Sequence, residues 1–514
     1  MPSAAAVPRS RPDRALIGAG IGLAGVLATQ LAVRAAPGYL PGRAGVLPGV
    51  LVWWVLGVAT AASLVRSANR RAAAGMLLAG ILAVHAVAAT GPPQLSDDLY
   101  RYAWDGRVQA AGIDPYRYGP LDPHLAGLRD QWLFPDAAGC AAIERGPHCI
   151  RLNYPRAHTI YPPVAQAYFT AVHYLPGPPR EHKLQLYGSL LSLALTGLLM
   201  RMLTTRGRDP RYAAFYALSP LAGLEVGSDA HVDVLGALLA MAGLAVLTRR
   251  SVRPSAAPST PPQPTPPQPT PPQPTPSQPA SPSRRRAAAA GALLGAAVAV
   301  KLYPALLLPA AARRRPAALV GAAAGVVGLA YLPHLLAVGT GVLGFLPQYL
   351  DVEGYGQGAR FLLLAGVLHL GGSAAKAVAV AVLAAVTVAV WRTDPGRVPP
   401  ERAALWLVGA AFLVATPVQP WYGVLLAALA VVAGRLEWLA VAAAAHPVYV
   451  SLFTDLPGDA WTLRVASYAV AAAVVLAVTG LRHRLAGAGP RVHRDAEPNW
   501  PALPLDSGVT APKR

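Results

Sequence analysis

Residues 72–105 read AAAGMLLAGILAVHAVAATGPPQLSDDLYRYAWD. The first part, 72–90, contains no acid, lysine or arginine. At a rise of ~1.5 Å per residue, a helix of that length matches the roughly 30 Å hydrocarbon core of a bilayer. Gly91-Pro92-Pro93 stops the helix, and Ser96-Asp97-Asp98-Leu99-Tyr100-Arg101-Tyr102 follows at once. An apolar span thus delivers two adjacent carboxylates to a membrane surface. The next stretch, 100–111, reads as a short helix lying against that surface. Asp98, Arg101, Tyr102 and Asp105 share one of its faces, because spacings of three, four and seven return to the same side of a helix.

The same apolar pattern recurs along the chain. With 514 residues, 54% hydrophobic and 13% charged, the sequence is too apolar to cover itself with water-facing surface and belongs in a bilayer. Its apolar runs lack the alternation of barrel strands, and lipid-exposed backbone must satisfy its own hydrogen bonds, so the spans are helices and the fold class is all-α. A formal charge of +20 would suggest nucleic acid as the partner of a soluble protein. Here the arginines gather at the ends of apolar runs, the positive-inside pattern of a polytopic protein, and no nucleic-acid partner is expected. No A-x-A-like cleavage site follows an N-terminal apolar core, so the first run is expected to stay as a span.

Arg11 and Arg14 precede an apolar run at 15–33, and Arg66, Arg70 and Arg71 separate 50–65 from 72–90. These charges place their flanks in the cytoplasm and 91–158 outside. The run 159–175 is broken at Pro162 and Pro163 and reads as an outer re-entrant or interfacial helix, since a crossing there would put the later arginine clusters outside. Spans at 184–203, 212–226 and 232–247 follow, the last two joined by the outer turn Gly227-Ser228-Asp229-Ala230-His231-Val232-Asp233. Pro-Pro-Gln-Pro-Thr repeats then form a polyproline-II cytoplasmic spacer. Arg284 to Arg286 and Arg313 to Arg315 both favour the cytoplasm, which makes the run between them a re-entrant hairpin with Lys301-Leu302-Tyr303-Pro304 at its middle.

The expected organisation is N-terminal spans at 1–90, an outer catalytic loop with interfacial helices at 91–183 and central spans at 184–253. A Pro-rich disordered linker at 254–283, a C-terminal membrane bundle at 284–481 and a disordered cytoplasmic tail at 482–514 complete it. About twelve spans result, with both termini cytoplasmic.

Several residues could carry chemistry. Asp98, with Asp97 beside it, can take a proton from a sugar hydroxyl while Arg101 lies near a phosphate; alternatively the acids cap the helix that follows. Lys301 lies in an apolar run, where a charge costs around 3 kcal/mol on insertion scales. A lipid phosphate is one partner that would offset this cost, and snorkelling to an interface is the other reading. Asp229, His231 and Asp233 could orient a sugar, hold a divalent metal, or cap the next helix, and no metal ligand set is singled out. Tyr161 before Pro162-Pro163 and Gln419-Pro420-Trp421-Tyr422 offer faces for sugar stacking or serve, as Tyr355 does, as interfacial belt residues. Cys140 and Cys149, the two cysteines of the chain, fall in one outer loop, where an extracytoplasmic disulfide is expected.

Ser-Asp-Asp-Leu-Tyr-Arg-Tyr-Ala-Trp-Asp-Gly-Arg, Gly-Ile-Asp-Pro-Tyr, Thr-Ile-Tyr-Pro-Pro, His-Val-Asp, Lys-Leu-Tyr-Pro and Trp-Tyr occur in this order between Leu95 and Tyr422. The set resembles GT-C-type membrane glycosyltransferases, especially bacterial polyprenol-phosphate-mannose-dependent mannosyltransferases, and more distantly the catalytic mannosyltransferase of GPI-anchor synthesis. The resemblance implies an inverting transfer of a hexose, mannose by the closest likeness, from a polyprenyl-phosphate sugar to a glycolipid or glycan acceptor. In such a transfer a loop aspartate acts as base. By position that aspartate falls on Asp98, then Asp97, and Lys301, with Tyr303 beside it, would face the leaving phosphate. Adjacent aspartates replace the Asp-x-Asp of the GPI enzyme, which weakens any reading of this pair as a metal site.

A plasma-membrane, multi-pass enzyme with an extracytoplasmic active site follows. Its partners are the lipid-linked sugar, the acceptor and membrane lipid; no cofactor is singled out, and a divalent metal is compatible. The rival reading is a transporter or flippase of lipid-linked sugars, which the broken helices and buried charge would also suit. It would need groups reachable from both sides near the midplane, whereas the acids cluster on the outer side.

Overall fold

The computed structural model describes residues 13–36, 45–249, 282–356, 358–417, 419–454 and 458–487. Residues 254–281 of the proline-rich linker and the tail beyond 487 lie outside them. Among the described residues the regular elements are all helices.

Arg14–Ala35 begins at Asp13, whose carboxylate accepts from the amides of Ala15 and Leu16 at 3.1 Å and so caps two otherwise unpaired donors. The same carboxylate accepts from the Ser67 hydroxyl at 2.6 Å and the Asn69 amide at 3.1 Å, tying this start to the turn between Val46–Arg66 and Arg70–Ala88. These hydrogen bonds, the Ser67 hydroxyl foremost, hold the Asp13 carboxyl down to about 2.

Among the described residues eight helices are long and apolar enough to cross a membrane: Arg14–Ala35, Val46–Arg66, Arg70–Ala88, Glu181–Thr204, Pro316–Val352, Gly372–Arg392, Leu436–Phe453 and Ala460–Leu485. About twelve spans were expected on hydropathy and charge. The two counts diverge where apolar runs do not form long helices. Residues 212–226 break into Pro210–Ala213, Ala214–Ala217 and a wide π-helical turn, Leu221–Ser228. Asp233–Thr248 has 16 residues, which rise about 24 Å, short of a full core. Pro163–Tyr174, in the run expected to be re-entrant or interfacial and not a span, has 12 residues. At the other end, Ala460–Gly487 continues past the tail boundary expected at 482. Arg482 donates to the Gly434 carbonyl at 3.1 Å and pairs with Glu437 at 3.3 Å, which fixes that last turn.

Gly423–Ala433 is buried on every side and forms the centre of the bundle. Arg284–Val298 packs between Asp233–Thr248 and Pro316–Val338. A Cβ at Gly291 would lie 2.1 Å from the Leu319 carbonyl oxygen, and one at Gly295 would lie 2.5 Å from that of Ala323. This small-x-x-x-small stripe lets two backbones touch where lipid offers no hydrophobic drive for association.

Two contacts set the site. Asp98–Ala110 lies on Pro163–Tyr174, where a Cβ at Gly106 would meet the Phe169 carbonyl oxygen at 2.5 Å and where Tyr102 stacks on Phe169 with centroids 4.4 Å apart. After Arg284–Val298 the chain breaks, and the Ala299 carbonyl accepts from the Val164 amide at 2.9 Å. The break at Lys301 is thereby anchored to the start of the helix that follows Tyr161.

Candidate active site

The Asp98 helix starts where three long-range hydrogen bonds pin its approach. Asp229 accepts from the amides of Gln94 and Leu95 at 2.5 and 2.9 Å, and the Tyr449 hydroxyl donates to the Leu95 carbonyl at 2.7 Å. Ser96, not an aspartate, receives the Asp98 amide, at 3.2 Å. Asp97 occupies the N-cap position with no side-chain bond to the helix; its carboxylate takes the Arg145 guanidinium at 2.9 and 3.1 Å. Asp98 Oδ1 accepts from Asn153 Nδ2 at 2.5 Å, while Oδ2 faces His231 Nδ1 at 3.7 Å. One acid of the pair is thus engaged by an arginine, and the other keeps an oxygen turned to the interior.

Behind Asp98 the turn 228–233 brings a second set of groups inward. Ala230, at φ +54°, adopts the left-handed conformation that L residues seldom take and sits between Asp229 and His231. His231 is fully buried, stacks on Trp421 with centroids 3.7 Å apart, and places Nε2 3.6 Å from Glu225. Glu225 in turn lies 3.2 Å from His446 Nε2, and His446 Nδ1 accepts from Trp54 Nε1 at 3.3 Å. That bond assigns the His446 proton to Nε2, facing Glu225. Sequence reasoning missed Glu225 and His446. Each stands alone in an apolar run, Leu-Ala-Gly-Leu-Glu-Val and Ala-Ala-Ala-Ala-His-Pro, and an isolated ionisable residue in a span is itself a functional signal.

Lys301 completes the site. Its ammonium is 3.3 Å from Asp233 Oδ2 and lies over the rings of Tyr161 and Tyr422, 5.3 and 5.1 Å from their centroids. Tyr303 packs against Tyr422 with centroids 5.1 Å apart. A carboxylate and two π faces offset the burial of this charge. Lys301 and Asp98 are within electrostatic reach of each other, and Tyr161 adjoins both. Burial, and after it the charge of Asp98, pushes the phenols of Tyr102 and Tyr161 well above their ordinary range, so both stay neutral.

The remaining sequence candidates have other occupations. Arg101 gives Nε to Asp105 at 2.9 Å and its terminal nitrogens to the carbonyls of Tyr154 and Ala157 at 3.5 and 3.2 Å. Asp105 also accepts from Thr159 at 2.6 Å and Gln166 at 2.9 Å. The pair shares the expected helix face, yet it is consumed in joining that helix to 154–166. Asp229 does not cap the helix after it; Asp233–Thr248 has no side-chain cap. Among the described residues, Glu225, Asp229 and His231 present ligand atoms within 4.8 Å of one another and form the set that could hold a divalent cation. Asp233, paired with Lys301, is not in it. Cys140 and Cys149 are joined by a disulfide, as expected.

A helical membrane scaffold that sets a carboxylate opposite a lysine and aromatic faces is equipped to deprotonate a hydroxyl and to hold an anion. The chain belongs to glycosyltransferase family 87, whose model matches residues 159–417. It is therefore a membrane glycosyltransferase of the GT-C type, acting on a sugar donor and an acceptor. The matched segment contains Tyr161, Glu225, His231, Asp233, Lys301 and Tyr303; Asp98 precedes it and Trp421 follows. No curated protein and no solved structure matches the chain.

Proposed function

We propose that this enzyme transfers a hexose, mannose first among the candidates, from a polyprenyl-phosphate donor to a glycolipid or glycan acceptor of the cell envelope. The reaction takes place on the extracytoplasmic side of the plasma membrane, with both chain termini in the cytoplasm. The observation that supports the reading is the gathering of Lys301, at the chain break after Arg284–Val298, against Asp233 and the Tyr161 ring, with Asp98 facing His231 of the same turn as Asp233.

Asp98 Oδ2 takes the proton of the acceptor hydroxyl as that oxygen attacks the anomeric carbon. The bond from this carbon to the phosphate oxygen breaks with its electron pair, and polyprenyl phosphate leaves. Attack opposite the leaving group inverts the anomeric configuration. Lys301 counters the charge developing on the phosphate, in surroundings of low dielectric where one cation has a large effect. Asp233 holds Lys301 in place, and Tyr161, Tyr422 and Trp421 supply faces for the sugar or the first isoprene units. Asp97, Arg101 and Asp105 support the Asp98 helix and do not touch substrate. The family membership supports transfer and gives no support to the transporter reading.

Purified protein in lipid discs, given polyprenyl-phosphate mannose and membrane glycolipid, should form a new mannoside of inverted configuration, read by mass spectrometry and NMR. Use of a nucleotide sugar in place of the lipid donor, or retention of configuration, would overturn this reading.

A further inference from the structure

Residues 140–157 cross the first turns of the Asp98 helix, where Asp97, Asp98, Tyr100 and Arg101 each meet a partner from this strap. Arg145 Nη2 takes both oxygens of Asp97 at 2.9 and 3.1 Å. Asn153 Nδ2 donates to Asp98 Oδ1 at 2.5 Å. Arg151 donates to the Tyr100 hydroxyl at 3.1 Å and lies over its ring. The carbonyls of Tyr154 and Ala157 accept from Arg101. The bridge between Cys140 and Cys149 makes the strap a closed body rather than a free loop. Arg145 lies inside the ring this bridge closes, and its amide donates to the Cys140 carbonyl at 3.0 Å while its Nη1 donates to the Ile150 carbonyl at 2.9 Å. Cys140 is fully buried, and the Arg151 amide donates to the Leu133 carbonyl at 3.1 Å.

We propose that this disulfide-closed strap is a positioning clamp for the base, in which Arg145 holds Asp97 apart from the reaction and Asn153 fixes Asp98 with one oxygen free. The physical reason lies in the adjacency of the two acids. Two neighbouring carboxylates at one helix start compete for the same hydroxyl and repel each other when ionised. A guanidinium on Asp97 removes both problems, and an amide on Asp98 Oδ1 leaves Oδ2 as the single proton acceptor facing the interior. Both donors come from one strap: the bridge closes the ring that carries Arg145, and Asn153 follows that ring by four residues. Arg145 and Asn153 act through the aspartates and are positioning residues.

This inference rests on Asp98 being the base, so the test reads both in one assay. Wild type, Asp98→Asn, Asn153→Ala, Arg145→Ala and Arg145→Lys are purified in lipid discs and assayed with polyprenyl-phosphate mannose. Wild type is also reduced with a thiol and alkylated at both cysteines after folding, which avoids dependence on a cysteine variant that misfolds. Asn153→Ala, Arg145→Ala and the reduced enzyme should each lose on the order of 10- to 100-fold in kcat, the penalty of a slightly misplaced reacting group. Donor KM should stay within about two-fold, and Arg145→Lys should recover most of the loss because it keeps a cation on Asp97. A fully alkylated enzyme with wild-type kcat, or losses confined to KM, would overturn the clamp while an inert Asp98→Asn leaves the base in place. Wild-type activity of Asp98→Asn would instead remove the base and the clamp with it.

Discussion

Two buried clusters of charge adjoin Asp98, an outer one carried by its own helix and an inner one reached through His231, and they are built differently. In the outer one, Arg101, Asp105, Thr159 and Gln166 meet at 2.6 to 2.9 Å. In the inner one, Asp98, His231, Glu225, His446, Asp233 and Lys301 approach only to 3.2–3.7 Å, and His231, Glu225 and Asp233 have atoms with no hydrogen-bond partner among the described residues. A saturated network has nothing left to offer a substrate, so it serves the fold. Groups held close but unsaturated keep capacity for a proton or an anion, and they define the reacting side.

That contrast can be broken by experiment. The largest effect on stability should come from the saturated side: Asp105→Ala leaves Arg101 buried and unpaired, at a cost of about 3–5 kcal/mol, read as a lowered midpoint of thermal unfolding in lipid discs. A shift as small as that of a surface variant would show that the outer cluster is not structural. On the unsaturated side Lys301→Met should reverse the balance. We expect kcat to fall on the order of 100-fold, since a fixed cation at a developing charge is lost, with the unfolding midpoint lowered less than in Asp105→Ala because the buried Asp233 left behind can take up a proton and become neutral. Intact turnover would remove the lysine from the leaving-group role.

Smaller effects sharpen the same division. Ala230→Gly relieves the left-handed turn that aims His231 inward and should stabilise by up to about 1 kcal/mol, with a modest loss of activity as the turn loosens. Tyr102→Phe removes a buried hydroxyl that lies near Tyr161 and the Val232 backbone without a well-formed hydrogen bond among the described residues, and it should be nearly neutral, within about 0.5 kcal/mol. A clear loss of stability there would mean that the hydroxyl has a partner when substrate or lipid is bound.

The outer cluster was more legible in the sequence than the inner one, for physical reasons. Asp98, Arg101 and Asp105 declare a shared face because helical periodicity is local, and the preceding apolar run fixes where the helix emerges. The pairing of Lys301 with Asp233 is not local; it depends on how Arg284–Val298 packs against Asp233–Thr248, which small residues decide and hydropathy does not show. Hydropathy likewise overcounts spans where Pro220 and the π-helical turn after it break the run holding Glu225. The roles of Arg145 and Asn153 had no signature, since loop residues acquire partners only through the fold. Asp97 and Asp98 are equivalent on the page of the sequence and differ only by what the strap places on each.

The most direct test compares Asp98→Asn with Asp97→Asn in membranes of equal expression, following radiolabelled hexose from polyprenyl phosphate into product. Loss of a general base predicts a fall of at least ~100-fold for Asp98→Asn, and Asp97→Asn should remain within about ten-fold of wild type. Wild-type transfer by Asp98→Asn, or loss confined to Asp97→Asn, would contradict the account.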